Sequence, residues 1–175
     1  MTGANVVFFL GGARSGKSRL AQELAEKLAD SQTVAPVYLA TGQPFDAEMT
    51  ERIARHRADR GPRWRTVECP LNLPEAIGKE AVDGNVVLVD CLTLWVSNLL
   101  LSDVDIIQAS DRLLSAIGNA RCPLVIVSNE VGLGIVPDNA LARRFRDEAG
   151  RLHQCVAAAA DKVFFVAAGL SFSLK

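Results

Sequence analysis

The sequence predicts an α/β protein built on a mostly parallel sheet with helices on both faces. Three observations carry that prediction. Short apolar runs alternate with longer helical segments along the chain, and parallel strands need such crossovers, whose helices then cover the sheet. The apolar runs end on polar residues: Thr41-Gly42-Gln43, Glu68, Asp90 and Asn129-Glu130. Ligands of such sheets bind at the carboxyl ends of the strands. The first run leads into Gly11-Gly12-Ala13-Arg14-Ser15-Gly16-Lys17-Ser18, which fits G-x-x-x-x-G-K-[ST] at every fixed position. Strand, glycine loop and helix together make the expected fold P-loop NTPase-like.

The elements follow in order. Val6-Val7-Phe8-Phe9-Leu10 reads as a buried strand. A helix is expected over residues 17–30, where Leu20, Leu24 and Leu28 recur every fourth residue with Ala21 and Ala25 beside them. Residues 36–40 form a second strand, broken by Thr41-Gly42-Gln43-Pro44. Asp46 caps a helix over residues 47–59. A short extended piece over residues 64–67 ends at Glu68, and a helix around residues 74–79 follows Pro70. Residues 85–90 give the strongest strand signal in the middle of the chain. The very apolar residues 92–101 predict a buried helix and residues 105–120 a more amphipathic one. A strand over residues 123–128 leads into the loop Asn129-Glu130-Val131-Gly132-Leu133-Gly134. Asp138 opens a long helix to about residue 160. Residues 163–166 form another strand, and Gly169 turns the chain into an antiparallel C-terminal edge strand over residues 171–174.

With 175 residues, no linker and no internal repeat, a single domain over residues 1–175 is expected. A net charge of −1 argues against a dedicated nucleic-acid or membrane-surface binder. No apolar run reaches the length of a membrane span, and no basic leader precedes the first apolar run. Cys69, Cys91, Cys122 and Cys155 are widely spaced, with no C-x-x-C. Reduced, mostly buried thiols and a cytoplasmic location are expected.

The phosphate loop predicts nucleoside triphosphate binding. Backbone N–H groups of Gly11, Gly12, Ala13, Arg14, Ser15 and Gly16 can turn toward phosphate oxygens, and the helix start adds partial positive charge. Lys17 reaches the β- and γ-phosphates, and the Ser18 hydroxyl holds Mg²⁺. Asp90, closing four apolar residues, resembles a Walker B carboxylate and is the second candidate Mg²⁺ ligand. Met49, Ile53 and His56 share one helix face, and Arg52, Arg55, Arg57 and Arg60 lie within four residues of His56. Arginine forks suit phosphate. Two readings of His56 stand at this point: a histidine packed on a solvated basic helix, or a nucleophile that attacks an α-phosphate and carries the nucleotidyl group. His153, between apolar neighbours in the last helix, reads as structural, and Trp64 and Trp95 as core. The chain lacks N-K-x-D, which disfavours a regulatory GTPase.

Beyond the phosphate loop, the chain carries Tyr38-Leu39-Ala40-Thr41, Asp46-Ala47-Glu48-Met49 with Arg52-Ile53 and His56, and Trp64-Arg65-Thr66 with Glu68. It continues with Asp90-Cys91-Leu92-Thr93, Asn98-Leu99-Leu100 and Asn129-Glu130-Val131-Gly132-Leu133-Gly134-Ile135-Val136-Pro137, then Arg143, Phe145-Arg146-Asp147 and Gly150-Arg151. In this order, nearly end to end, the pieces resemble the bifunctional adenosylcobinamide kinases / adenosylcobinamide-phosphate guanylyltransferases of cobalamin biosynthesis. Three features depart from that pattern: Arg55 stands where some relatives have a first of two histidines, His153 stands before Gln154 where Asn is expected, and residues 101–120 run short.

The resemblance implies two reactions. ATP or GTP phosphorylates the aminopropanol hydroxyl of adenosylcobinamide. GMP from GTP then passes through a histidine to adenosylcobinamide phosphate, giving adenosylcobinamide-GDP. The guanylylated histidine falls on His56, with Lys17 as the other catalytic residue. Nucleotide contacts fall on Gly11 through Ser18, on Thr41, Gly42 and Gln43, on Arg57, Ala58, Asp59 and Arg60, and on Glu68 and Asp90. A corrinoid substrate and a homotrimer are also implied.

Overall fold

The structure is a computed structural model that describes residues 5–44 and 46–175, apart from the side chains of Arg52 and Asp59. Among the described residues seven strands form one sheet: β1 (Val6–Gly11), β2 (Val37–Ala40), β3 (Arg65–Glu68), β4 (Val87–Asp90), β5 (Leu124–Asn129), β6 (Lys162–Ala167) and β7 (Leu170–Ser173). Their spatial order is β3-β2-β4-β5-β1-β6-β7. All neighbours are parallel except β6 and β7, the expected antiparallel edge. The helices are α1 (Lys17–Gln32), α2 (Ala47–Arg60), α3 (Leu73–Glu80), α4 (Leu92–Leu101), α5 (Ile106–Gly118) and α6 (Ala140–Ala159).

The sheet separates two apolar layers. One face packs Phe8, Leu39, Val89 and Ile126 against Ile77 of α3, Trp95 of α4, Leu113 of α5 and Val156 of α6. The other packs Val7, Phe9, Leu88 and Val125 against Ala21, Ala25 and Ala29 of α1. Strands buried on both faces read as unbroken apolar runs, as Val87-Leu88-Val89 does. The α1 helix expected from the leucine and alanine spacing is present. Alanines and Lys17 form the buried line, and Leu20, Leu24 and Leu28 pack at its flanks. Small side chains let the helix that follows the phosphate loop lie close on the sheet.

Helix ends follow local chemistry. Asp46 accepts a hydrogen bond from the Met49 amide at 2.7 Å and starts α2, and Asp105 does the same for Gln108 at 3.1 Å. The expected opening of α6 at Asp138 shifts by a residue: Asn139 is the cap, accepting from the Ala142 amide at 3.1 Å, and the helix begins at Ala140. At the far end of α6, Lys175 Nζ donates to the carbonyls of Ala157, Ala158 and Ala160, groups a helix end leaves without intrahelical partners. Trp95 and Trp64 are buried, as expected, and each indole N–H is satisfied, by Leu71 O and Glu26 Oε1 respectively, both at 2.9 Å. Cys69, Cys91 and Cys122 are buried, Cys155 is exposed, and all four are free thiols.

Candidate active site

The carboxyl ends of β1, β2, β3, β4 and β5 lie along one edge, in register. Gly11 sits opposite Asn129, Ala40 opposite both Glu68 and Asp90, and Asp90 opposite Val127. The phosphate loop leaves this edge from Gly11. A Cβ at Gly11 would come within 2.3 Å of Val166 O, so the close approach of β6 demands glycine there. Gly16 has φ +95°, a left-handed conformation at the N-cap of α1 that glycine adopts without strain. The loop is closed by Ser15 N to Gly12 O at 3.3 Å and tied to the β6–β7 turn by Gly169 N to Ser15 O at 2.8 Å. Lys17, buried, donates from Nζ to Gly12 O at 3.0 Å and so bends back across the loop. Ser15 Oγ is buried without a hydrogen-bond partner among the described residues, an orphaned polar atom inside the cradle where an anion's oxygens are expected.

A cleft opens beside the loop. Lys17 and Ser18 border it from α1, Asp90 from β4, Glu68 from β3, and His56, Arg57 and Arg60 from α2. Met49 and Ile53 line the same wall as His56, so the shared helix face read from the sequence faces the cleft. His56 is half-buried there. Of the other expected contacts, Gly42 lines the cleft, whereas Gln43 and Ala58 do not border it. Asp59 lies outside the described side chains.

Thr41 has a different place from the one expected. It is fully buried, donates its hydroxyl to Cys91 O at 2.7 Å, and accepts from Cys91 N at 2.8 Å. Its carbonyl accepts from Asn98 Nδ2 of α4 at 2.7 Å. Thr41 therefore braces the ends of β2 and β4 behind the cleft floor and keeps Asp90, next to Cys91, in place. Burial pushes the Cys91 thiol up to about 11, so it stays protonated at neutral pH.

Tyr38 and Asn129 are among the cleft residues that were not assigned a role from the sequence. Tyr38 of β2 lines the cleft beneath Arg60, whose guanidinium lies 3.5 Å from the ring centroid. Burial, then the neighbouring Asp90 carboxylate, raises the Tyr38 phenol well above its ordinary value. Asn129, a strand-end residue, donates Nδ2 to Thr93 Oγ1 at 3.2 Å, while its buried Oδ1 has no hydrogen-bond partner among the described residues. Glu130 folds the following loop back, accepting from Gly132 N at 2.6 Å and Leu133 N at 3.1 Å. A hydrophilic strand end was the available signal for Asn129; Tyr38 had none, because its partner comes from a distant helix.

A sheet of this order, with a phosphate loop ahead of its first helix and an acidic strand end beside it, defines a P-loop nucleotide-binding protein. A solved ATPase domain shares that fold, with a TM-score of 0.52 at 15% identity over 92% of this chain and 68% of that one. The chain belongs to the cobinamide kinase / cobinamide phosphate guanyltransferase family, whose profile matches residues 7–174. The bifunctional adenosylcobalamin biosynthesis protein CobP of Pseudomonas aeruginosa is 50% identical over 168 residues, covering 95% of each chain. CobU of Escherichia coli is 42% identical, covering 97% of this chain and 99% of the relative. CobU of Salmonella typhimurium is 40% identical with the same coverage.

Proposed function

We propose that this chain phosphorylates the aminopropanol hydroxyl of adenosylcobinamide with ATP or GTP, then transfers GMP from GTP to adenosylcobinamide phosphate through His56. The observation that supports the second step is that His56 borders the same cleft as Lys17, Ser18 and Asp90. A nucleophile and a triphosphate cradle thus share one space.

In the first reaction the phosphate loop holds the triphosphate by its backbone amides, and Lys17 swings from Gly12 O onto the phosphates. The acceptor hydroxyl attacks the γ-phosphorus and gives its proton up to solvent, and the nucleoside diphosphate leaves with the bonding electrons. In the second, an imidazole nitrogen of His56 attacks the α-phosphorus of GTP, and the bond to pyrophosphate breaks. Lys17 and the loop amides take up the charge that develops on pyrophosphate. The proton on the other ring nitrogen passes to solvent. A phosphate oxygen of the acceptor then displaces the histidine at phosphorus, and the imidazole recovers its proton. Splitting the displacement in two gives each half its own positioned nucleophile. Arg57 and Arg60 on the His56 side offer guanidinium groups to the nucleotide's anionic oxygens.

The donor set fits Mg²⁺. Ser18 and Asp90 offer hard oxygens at the cleft, and this ion takes one or two protein side chains and fills its shell with water and substrate phosphates. When bound there, it would offset the negative charge of the triphosphate.

A homotrimer is part of the same reading. Leu170, Phe172 and Leu174 are exposed along the β7 edge, and Leu133, Ile135 and Val136 on the loop after β5. Apolar surface of this kind supports subunit contacts.

The test supplies adenosylcobinamide and its phosphate separately, with ATP or GTP. Nucleoside diphosphate must form with the first, and pyrophosphate with GTP and the second. Diphosphate formation without pyrophosphate release would leave a kinase alone.

A further inference from the structure

Helix α2 carries His56 but is poorly buried. Among its described side chains, Arg60 is the one buried residue, at 9% exposure. An arginine at that depth needs a partner, and it has the face of Tyr38, 3.5 Å from its guanidinium carbon. A cation over an aromatic face gains most where water is excluded. Positions four apart share a helix face, so Arg60 lies one turn beyond His56 on the same side of α2.

The ring beneath Arg60 is itself fixed. Tyr38 lies between Thr66 of β3 and Leu88 of β4 in the sheet. Trp64 meets it edge-on, with centroids 6.0 Å apart and planes at 85°. The Trp64 indole N–H donates to Glu26 of α1 at 2.9 Å, and Glu26 also accepts from Gln22 at 3.2 Å. A continuous set of contacts therefore joins the end of α2 to the helix that begins at the phosphate loop.

We propose that the Tyr38 ring is a positioning residue for guanylyl transfer: it seats Arg60 and, through it, fixes the last turns of α2 so that His56 faces the phosphate loop. This rests on the reading of His56 as the nucleophile. The aromatic face carries the role, and the phenol hydroxyl, directed at Asp90, does not.

The test compares native protein, Tyr38→Phe, Tyr38→Leu and Arg60→Met. Two quantities are read: the rate of GMP addition to the protein at saturating GTP with Mg²⁺, and hydrogen exchange of the α2 backbone amides. Tyr38→Phe keeps the face and should retain both properties near native. Tyr38→Leu and Arg60→Met should each slow GMP addition by about tenfold or more, as misplacement of a reacting group does, with faster exchange over the same amides. The variant with both changes should be no worse than either alone, because the two residues act as one unit. Native exchange in Tyr38→Leu, or equal impairment in Tyr38→Phe, would overturn the proposal. Arg60→Met leaves the sheet intact and keeps the test informative if Tyr38→Leu does not fold. Absence of any adduct on native protein would refute the role of His56 and with it the catalytic part; the exchange data would still decide whether the ring anchors α2.

Discussion

His153 Nε2 and Ser128 Oγ lie 2.7 Å apart, both buried, beneath the carboxyl end of β5 that supplies Asn129. The ring also packs at 5.9 Å against Phe8 of β1. Burial pushes the imidazole down to about 4, with the Glu130 carboxylate opposing the shift in part. This histidine is folded in as a neutral hydrogen-bond partner.

The sign of its linkage follows. The unfolded chain takes up a proton near the ordinary histidine value, and the folded chain does so only near 4, so the unfolded state binds more protons between the two. Stability is full above the unfolded value and is lost as pH falls through this window. Between about pH 7.5 and about pH 5 the loss from this group is about 2 kcal/mol. Urea unfolding at the two pH values should show it, and His153→Gln should lose that much less of its own stability over the same interval.

Thr41 holds Cys91 at both backbone groups. Thr41→Val keeps the shape but strands a buried N–H and carbonyl, at a cost of about 2 kcal/mol or more. Chemical denaturation should register that loss, and nucleotide turnover should fall as well, because Asp90 precedes Cys91 on the same strand end.

Lys17 is the cation that the phosphate loop turns inward. Lys17→Ala should lower both diphosphate formation and pyrophosphate release, each by about a hundredfold or more in kcat, with little change in melting temperature. Separate assays of the two products check this. Loss of one reaction alone would mean that the two do not share the cradle.

The β7 edge and the loop after β5 expose Phe172 and Ile135 at 55% and 96%. Light scattering should give a particle of three copies of the 18.8 kDa chain. Phe172→Lys combined with Ile135→Asp should shift it toward the single chain.

The legible parts of the sequence were those with short-range signatures. Asp46 announced its helix because a cap and its amide partner lie three residues apart. The phosphate loop was legible for the same reason, and Met49, Ile53 and His56 fell on one helix face by spacing alone. The local signal stops short where packing distance decides: in α1 the leucine spacing marked a helix, and only the structure shows that the alanines hold its buried seam. Asp138 and Asn139 are both good caps, and chain geometry chose the second. Thr41 looked like a strand-end ligand because its bonding to Cys91 spans 50 residues. Arg60 was placed at the site as one of several arginines, but its seat on Tyr38 joins a helix to a strand far away in sequence and left no local mark.

The central claim is that His56 carries the nucleotidyl group. The direct measurement is intact mass after incubation with GTP and Mg²⁺, for the native chain and for His56→Ala. A GMP-sized addition to the native chain that is acid-labile, base-stable and absent from the variant is the expected result. An unmodified native chain under conditions of confirmed GTP binding, or an equal addition to His56→Ala, would contradict it.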